Sequence, residues 1–227
     1  MRIILIIPVL LISISMHTVT PVRIPTNPTN PTNPNNPNNP NNPASNSMNN
    51  LRKLNLRSVT ENPFANLRLT KKMQTAATKQ LKYGAPTSIQ QSAIPLIADG
   101  QDVRIHSPTG SGKTAAYVLP LVQRLTKAET PTARCARCLV LVPTRELAEQ
   151  VSDVFQEVSD AVRGDLTIRK VYGGVSMSPQ LKTLQYGVDV LVATPGRLID
   201  VIANNGTDIS STEHLIIDEA DRLLSGE

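Results

Sequence analysis

Val103-Arg-Ile-His-Ser107-Pro-Thr-Gly-Ser-Gly-Lys113-Thr114 is the stretch from which the rest of this chain is read. Val103–His106 has the length and character of a short strand, and Gly112–Leu125 has helical spacing. Between them, Gly110 and Gly112 let the backbone wrap so that successive N–H groups point inward. The helix beginning near Gly112 adds the positive end of its dipole. Such a concavity suits phosphate oxygens, with Thr109, Gly110, Ser111 and Gly112 lining it. Lys113 then places a point charge on the β- and γ-phosphates, and the Thr114 hydroxyl is positioned to ligand Mg²⁺. Ser107 stands where the strict pattern has its first Gly. A mere glycine-rich turn is the competing reading, and the Gly-Lys-Thr triplet at a strand–helix junction makes it improbable.

Outward from this loop, apolar runs alternate with helical patterns. The spacing predicts strands at Cys138–Val142, Leu166–Tyr172, Val188–Ala193 and His214–Ile217. It predicts helices at Arg145–Val158, Pro179–Tyr186 and Arg197–Ala203. Near-continuous apolar strands between helices indicate an α/β chain with a parallel sheet covered on both faces. Ligands of such sheets sit beyond the carboxyl ends of the strands.

Asp218-Glu219-Ala220-Asp221 follows the apolar strand Leu215-Ile216-Ile217. A carboxylate at a strand tip suits Mg²⁺, here from Asp218, and Glu219 beside it can polarise an attacking water. Alone, the tetrad could be an acidic helix start. Paired with the phosphate loop in the same alternating pattern, Lys113, Asp218 and Glu219 form a candidate catalytic group.

The tetrad spells DEAD, and the chain resembles the DEAD-box RNA helicase family over roughly Asn62 to Leu224. Tyr83 and Pro86-Thr-Ser-Ile-Gln90 resemble its adenine-reading Q motif, with Phe64 near the expected upstream position. Pro143-Thr-Arg-Glu-Leu147, Gly173-Gly174 and Thr194-Pro-Gly-Arg197 resemble the motifs that grip the RNA backbone. The wording from Tyr172 to Asp200 looks closest to the RhlE-type branch. The resemblance implies a three-layer RecA-like P-loop NTPase fold, ATP and Mg²⁺ as cofactors, RNA as partner, and ATP hydrolysis coupled to RNA duplex remodelling.

Each motif has a physical reading of its own. The Gln90 amide can match adenine's N6 donor and N7 acceptor. Tyr83 is either a neighbour of the base or a core aromatic. Thr144 and Thr194 offer hydroxyls, Gly173 and Gly174 offer unobstructed backbone N–H groups, and Arg145 and Arg197 carry charge; the resemblance adds Pro143, Pro195 and Gly196 to the RNA-binding set. None of these reads a base edge, so the set implies sequence-independent contact with phosphate and sugar. Arg145 could equally bridge to Glu149 at i,i+4. A different P-loop ATPase, or an inactive fragment, are the alternatives.

Composition sets wider bounds. The 227 residues are 40% hydrophobic and 18% charged, enough for one cored domain with a tail, and the net charge of +5 alone does not identify a nucleic-acid binder. Cys135 and Cys138 have zinc-like spacing without a second pair, so they read as strand-entry residues. Residues 3–14 form an apolar run behind Arg2 that resembles a signal-peptide core, and Thr26–Pro43 is an Asn-Pro repeat unsuited to packing. Residues 1–47 are therefore read as a leader dispensable for ATP binding, with Met48 a possible true start. Residues 48–227 are read as the ATP-binding domain, cytoplasmic and without a stable membrane partner.

Two features stand against the pattern. Arg104 lies in a strand where the family has an apolar residue, which is costly unless the charge is paired or solvated. The family also has a Ser-Ala-Thr strand between the phosphate-loop strand and the DEAD strand, then a second RecA-like domain. Neither is present in this sequence, so the fold is expected to be C-terminally incomplete. Val103–His106 and Leu215–Ile217 are then expected to flank a gap, and Leu223 and Leu224 to lose cover.

Overall fold

A computed structural model describes residues 1–8, 62–127 and 135–225 of the chain. The Asn-Pro repeat and Met48 lie outside the described residues. Six strands make one sheet: β1 (Arg2–Pro8), β2 (Val103–Ser107), β3 (Ala136–Leu141), β4 (Ile168–Val171), β5 (Val188–Ala193) and β6 (His214–Ile217). Their order is β2-β1-β6-β3-β5-β4, and every pairing is parallel. The helices are α1 (Lys71–Thr75, running on into a π turn at Ala76–Gln80), α2 (Ser88–Ala98), α3 (Lys113–Leu125), α4 (Arg145–Ala161), α5 (Met177–Leu184), α6 (Pro195–Ala203) and α7 (Ala220–Leu224). The alternation predicted from sequence is present, with strand and helix ends shifted by a few residues. The first two helices carry no strong periodic signal and escaped it.

Alternating strand residues feed two cores. One face presents Ile105, Val140, Val190 and Ile216 to Met73, Ile94, Leu119 and Phe155 on α1 to α4. The other presents Leu139, Leu191 and Val171 to Leu184, Leu198 and Val201 on α5 and α6. This is the expected three-layer arrangement. Phe64 is fully buried in the first core, so its ring packs the domain rather than facing a ligand.

The expected gap is filled. β1 lies between β2 and β6, with Leu5 opposite Arg104 on one side and opposite Ile217 on the other. Hydrogen bonds extend beyond the ladder: the Arg2 N–H donates to the Glu213 carbonyl at 2.7 Å, and the Ile3 N–H donates to Asp102 Oδ1 at 2.9 Å. Ile4 and Ile6 enter the first core. The apolar run that resembles an export signal is thus, over Arg2–Pro8, an interior strand. Continuous Ile and Leu behind one Arg fit both readings, and the pairing with β2 and β6 shows the strand over Arg2–Pro8.

Arg104 is explained by position. β2 is the sheet edge, and Arg104 is exposed on the face that no described helix covers. His106 is exposed on the same face. No interior charge has to be neutralised there. Leu224 is 75% exposed, as expected for a residue without cover.

At the opposite, amino-terminal end of the strands a buried ion pair ties three strands together. Arg137 Nη1 on β3 donates to Asp189 Oδ1 on β5 at 2.8 Å, and both side chains are almost wholly buried. Asp189 also accepts from the Thr167 N–H at 2.8 Å, and Arg137 reaches the Leu125 carbonyl and Glu213. Removing one member strands the other charge in a dry site, which costs about 3–5 kcal/mol. Asp189→Ala should therefore lower the urea midpoint severely, and the double variant Asp189→Ala/Arg137→Met should recover much of the loss. Equal destabilisation in both would show that the charges are solvated.

His214 on β6 lies beside this network. Burial, then the nearby Arg124, push its imidazole down from 6.5 to about 4. Between those values the unfolded chain takes up a proton that the folded chain refuses. Stability should fall as pH drops through this window, by an amount of order 2 kcal/mol. His214→Gln should flatten that part of the stability–pH curve, measured by denaturant titration between pH 7 and 4.5.

Candidate nucleotide site and nucleic-acid-facing edge

Because all six strands run one way, their carboxyl ends share one edge. β2 delivers the phosphate loop and β6 delivers Asp218. β3, β4 and β5 deliver Pro143-Thr-Arg145, Gly173-Gly174 and Thr194-Pro-Gly-Arg197. The ends are stitched together by backbone bonds from Asp218 to Leu141, Val142 to Ala193 and Thr194 to Val171.

In the loop, Gly110 and Gly112 adopt φ of 74° and 90°. At Gly112 a Cβ would come within 2.6 Å of the Gln90 side chain, so only glycine fits. Gln90 itself is buried. Its Nε2 donates to the Gly112 carbonyl at 3.2 Å, and its Oε1 accepts from the Thr87 N–H at 3.0 Å within a capping box that starts α2. One amide hydrogen and one lone pair remain for a ligand. Gln90 is therefore also a brace for the phosphate loop. The capping pattern Thr87-x-x-Gln90 was the signal for that second role, and sequence reading missed it.

Lys113 Nζ donates to the Ser107 and Pro108 carbonyls at 2.8 and 2.7 Å, and the Ser107 hydroxyl contacts that of Ser111. Partial burial lowers the Lys113 pKa, while Asp218, Glu219 and Asp221 act to raise it. The lysine thus belongs to the same electrostatic group as the acidic tetrad.

Asp218 is buried. Its Oδ2 accepts from the Tyr117 hydroxyl at 2.9 Å and its Oδ1 from the Glu219 N–H at 2.9 Å. Burial raises its pKa, against the opposing pull of these two bonds and Lys113. Thr114 and Tyr117 lie one turn apart on α3, and the Tyr117 hydroxyl holds Asp218. The Thr114 hydroxyl and the buried Asp218 carboxylate are hard oxygen donors of the kind Mg²⁺ takes alongside phosphate oxygens. Among the described residues no group of three or more His, Cys, Asp or Glu gathers as a cage. Glu219 sits at φ 48°, ψ 48°, a left-handed conformation unusual for a side-chain-bearing residue, and Arg222 holds its Oε2 at 2.9 Å. Tyr117 carried no motif signal and was not singled out from sequence.

Tyr83 is half-buried against the first core, and burial raises its phenol pKa. On the β3–β5 half, Thr144 caps α4 by accepting from the Leu147 N–H at 3.2 Å. Arg145 pairs with Glu149 at 3.3 Å and stacks 4.9 Å from the Tyr172 ring centroid, while the Tyr172 hydroxyl donates to Glu149 at 2.8 Å. Gly173, Gly174 and Gly196 are exposed with open space where a Cβ would lie. Thr194 and Pro195 begin α6. Arg197 is mostly buried: its Nη2 donates to the Val175 carbonyl at 2.9 Å, and its Nη1 is buried without a partner. Arg197 therefore shapes the loop after Gly174. The Arg145–Glu149 bridge expected from i,i+4 spacing is present, whereas Tyr172, which stacks on Arg145, was not singled out from sequence.

Comparison with known proteins agrees with this geometry. The family model described as DEAD/DEAH box helicase matches residues 87–227. The chain is 41% identical over 162 residues to the RNA helicase CrhR of Synechocystis, covering 71% of this chain and 31% of that protein. It is 42% identical over 164 residues to the ATP-dependent RNA helicase DeaD of Klebsiella pneumoniae, covering 72% and 25%. Among solved structures, Prp28 of Chaetomium thermophilum bound to ADP superposes with a TM-score of 0.64 at 33% identity, over 71% of this chain and 39% of that one. The chain thus spans between a quarter and a third of the length of these two curated relatives. With the motifs on one sheet edge and the match over residues 87–227, this chain belongs to the DEAD/DEAH box helicase family.

Proposed function

We propose that this domain binds Mg·ATP between the ends of β2 and β6 and RNA along the ends of β3, β5 and β4. It would thereby serve ATP-dependent remodelling of RNA duplexes. The observation that carries the reading is the convergence of Lys113, Thr114, Asp218 and Glu219 at one edge. The backbone N–H groups from Thr109 to Thr114 hold the phosphates. Lys113 leaves the Ser107 and Pro108 carbonyls for the β- and γ-oxygens. Thr114 and Asp218 hold Mg²⁺, which neutralises charge on the phosphates when bound. Glu219, fixed by Arg222, orients the attacking water. Gln90 selects adenine while it braces Gly112, with Tyr83 beside it.

The curated relatives are named as RNA helicases, and the second half of the edge supports RNA here too. Thr144, Gly173, Gly174, Thr194 and Gly196 present hydroxyls and open backbone, and Arg145 adds an exposed charge. Such contacts follow sugar and phosphate rather than sequence. Among the described residues no helix is long and apolar enough to cross a membrane. We place the protein in the cytoplasm, where ATP and RNA are both abundant.

Lys113→Ala should weaken Mg·ATP binding at least tenfold by calorimetry; unchanged affinity would overturn the site. Gln90→Ala should lose the preference for ATP over GTP, because both the base contact and the brace on Gly112 disappear. Unaltered discrimination would reassign Gln90 to the brace alone. Arg145→Ala should reduce affinity for RNA of any sequence by a similar factor, with a shallower salt dependence in fluorescence anisotropy. Residues 1–227 on their own should bind both ligands without separating an RNA duplex, since a single domain grips one face of the strand. Duplex release by this chain with saturating ATP would contradict that division of labour.

A further inference from the structure

We infer that Arg2–Pro8 is a positioning element of the nucleotide site: a separable strand that sets the distance between the phosphate loop and Asp218. The inference rests on the nucleotide reading above and adds to it a segment that no motif includes.

β1 is the sole strand between the two that carry the site. Pro8 stands opposite Ser107, where the phosphate loop begins, and Leu5 stands opposite Ile217, the residue before Asp218. Neighbouring strands lie about 4.8 Å apart, so one interposed strand holds β2 and β6 roughly 10 Å apart. Direct pairing of β2 with β6 would halve that distance and close the space for a phosphate chain. An open gap would leave both strands with unpaired backbone and the loop with no fixed relation to the carboxylate. The Tyr117–Asp218 bond at 2.9 Å reaches across this span and depends on it. α7, which follows Glu219, also packs against β1.

The strand is built for the slot. Ile4 and Ile6 are 2% and 0% exposed in the core that contains Tyr117, Ile105 and Ile216. Ile3, on the opposite face, is 39% exposed. Five register pairs with β2 and four with β6 occupy both edges. Residues 1–47, expected to be dispensable for ATP binding, therefore include seven that are not. The strand is joined to the rest of the domain only through a long intervening segment, so the same pairing can be made by a separate peptide.

The test uses the full chain first. Hydrogen exchange should show the Ile4–Ile7 amides protected to the level of Leu139–Leu141 in β3, and further slowed by Mg·ADP. Exchange of these amides at the rate of a free peptide, while β3 is protected, would overturn the inference. Ile6→Glu should lower Mg·ADP affinity at least tenfold, whereas Ile199→Thr, at an exposed position on α6 outside the strand, should leave it within twofold. A chain lacking Met1–Pro8 should show the same loss, and a synthetic peptide of residues 1–10 should restore affinity to within threefold. Wild-type affinity in the deleted chain without peptide would also overturn the inference. The nucleotide reading fails separately: a wild-type chain with protected β1 and no response to Mg·ADP would refute the site and still support the strand's placement.

Discussion

A single parallel sheet constrains everything else in this molecule. Each strand's backbone groups are satisfied by its neighbours, and each carboxyl end then falls on the same edge. The chemistry is distributed along that edge by strand order alone. The phosphate loop and the acidic tetrad flank β1, and the open glycines and capping threonines lie beyond β6 on the β3, β5 and β4 ends. The two proposed binding sites are thereby adjacent on one sheet, and β6 and β3, hydrogen-bonded through Asp218 and Leu141, join them.

Several side chains serve both the fold and the site. Gln90 completes a capping box and holds the phosphate loop. Tyr117 fills the core under α3 and fixes the Asp218 carboxylate. Arg197, mostly buried, anchors the loop that displays Gly173 and Gly174. Such sharing makes these residues poor targets for separating stability from activity. Lys113, Arg145 and the exposed glycines are better ones, because little in the core depends on them.

Most of the edge was legible in the sequence because phosphate and metal chemistry demand particular residues at fixed spacing. Gly110, Gly112, Lys113, Thr114 and Asp218 follow strands that the alternating pattern had already marked, so their placement at one edge was visible in one dimension. The partners Tyr117 and Tyr172 were not legible, since each acts through a contact made only on folding, whereas the Arg145–Glu149 bridge was, because i,i+4 spacing is visible along the chain. Tyr117 and Asp218 are a hundred and one positions apart. Arg104 looked anomalous because its strand was taken as interior, and the fold makes β2 the edge. Arg2–Pro8 was not legible as a strand for a different reason. A run of seven residues rich in Ile and Leu suits a membrane-directed segment and a buried parallel strand equally well, and only the slot between β2 and β6 distinguishes them.

The central claim is that one interposed strand and two flanking ones form a nucleotide site. An experimental structure of residues 1–227 with Mg²⁺ and a non-hydrolysable ATP analogue tests it most directly. The account predicts the phosphates within the Thr109–Thr114 backbone, the metal between Thr114 and Asp218, and Arg2–Pro8 between β2 and β6. A nucleotide bound elsewhere, or β2 and β6 joined without β1 between them, would contradict it.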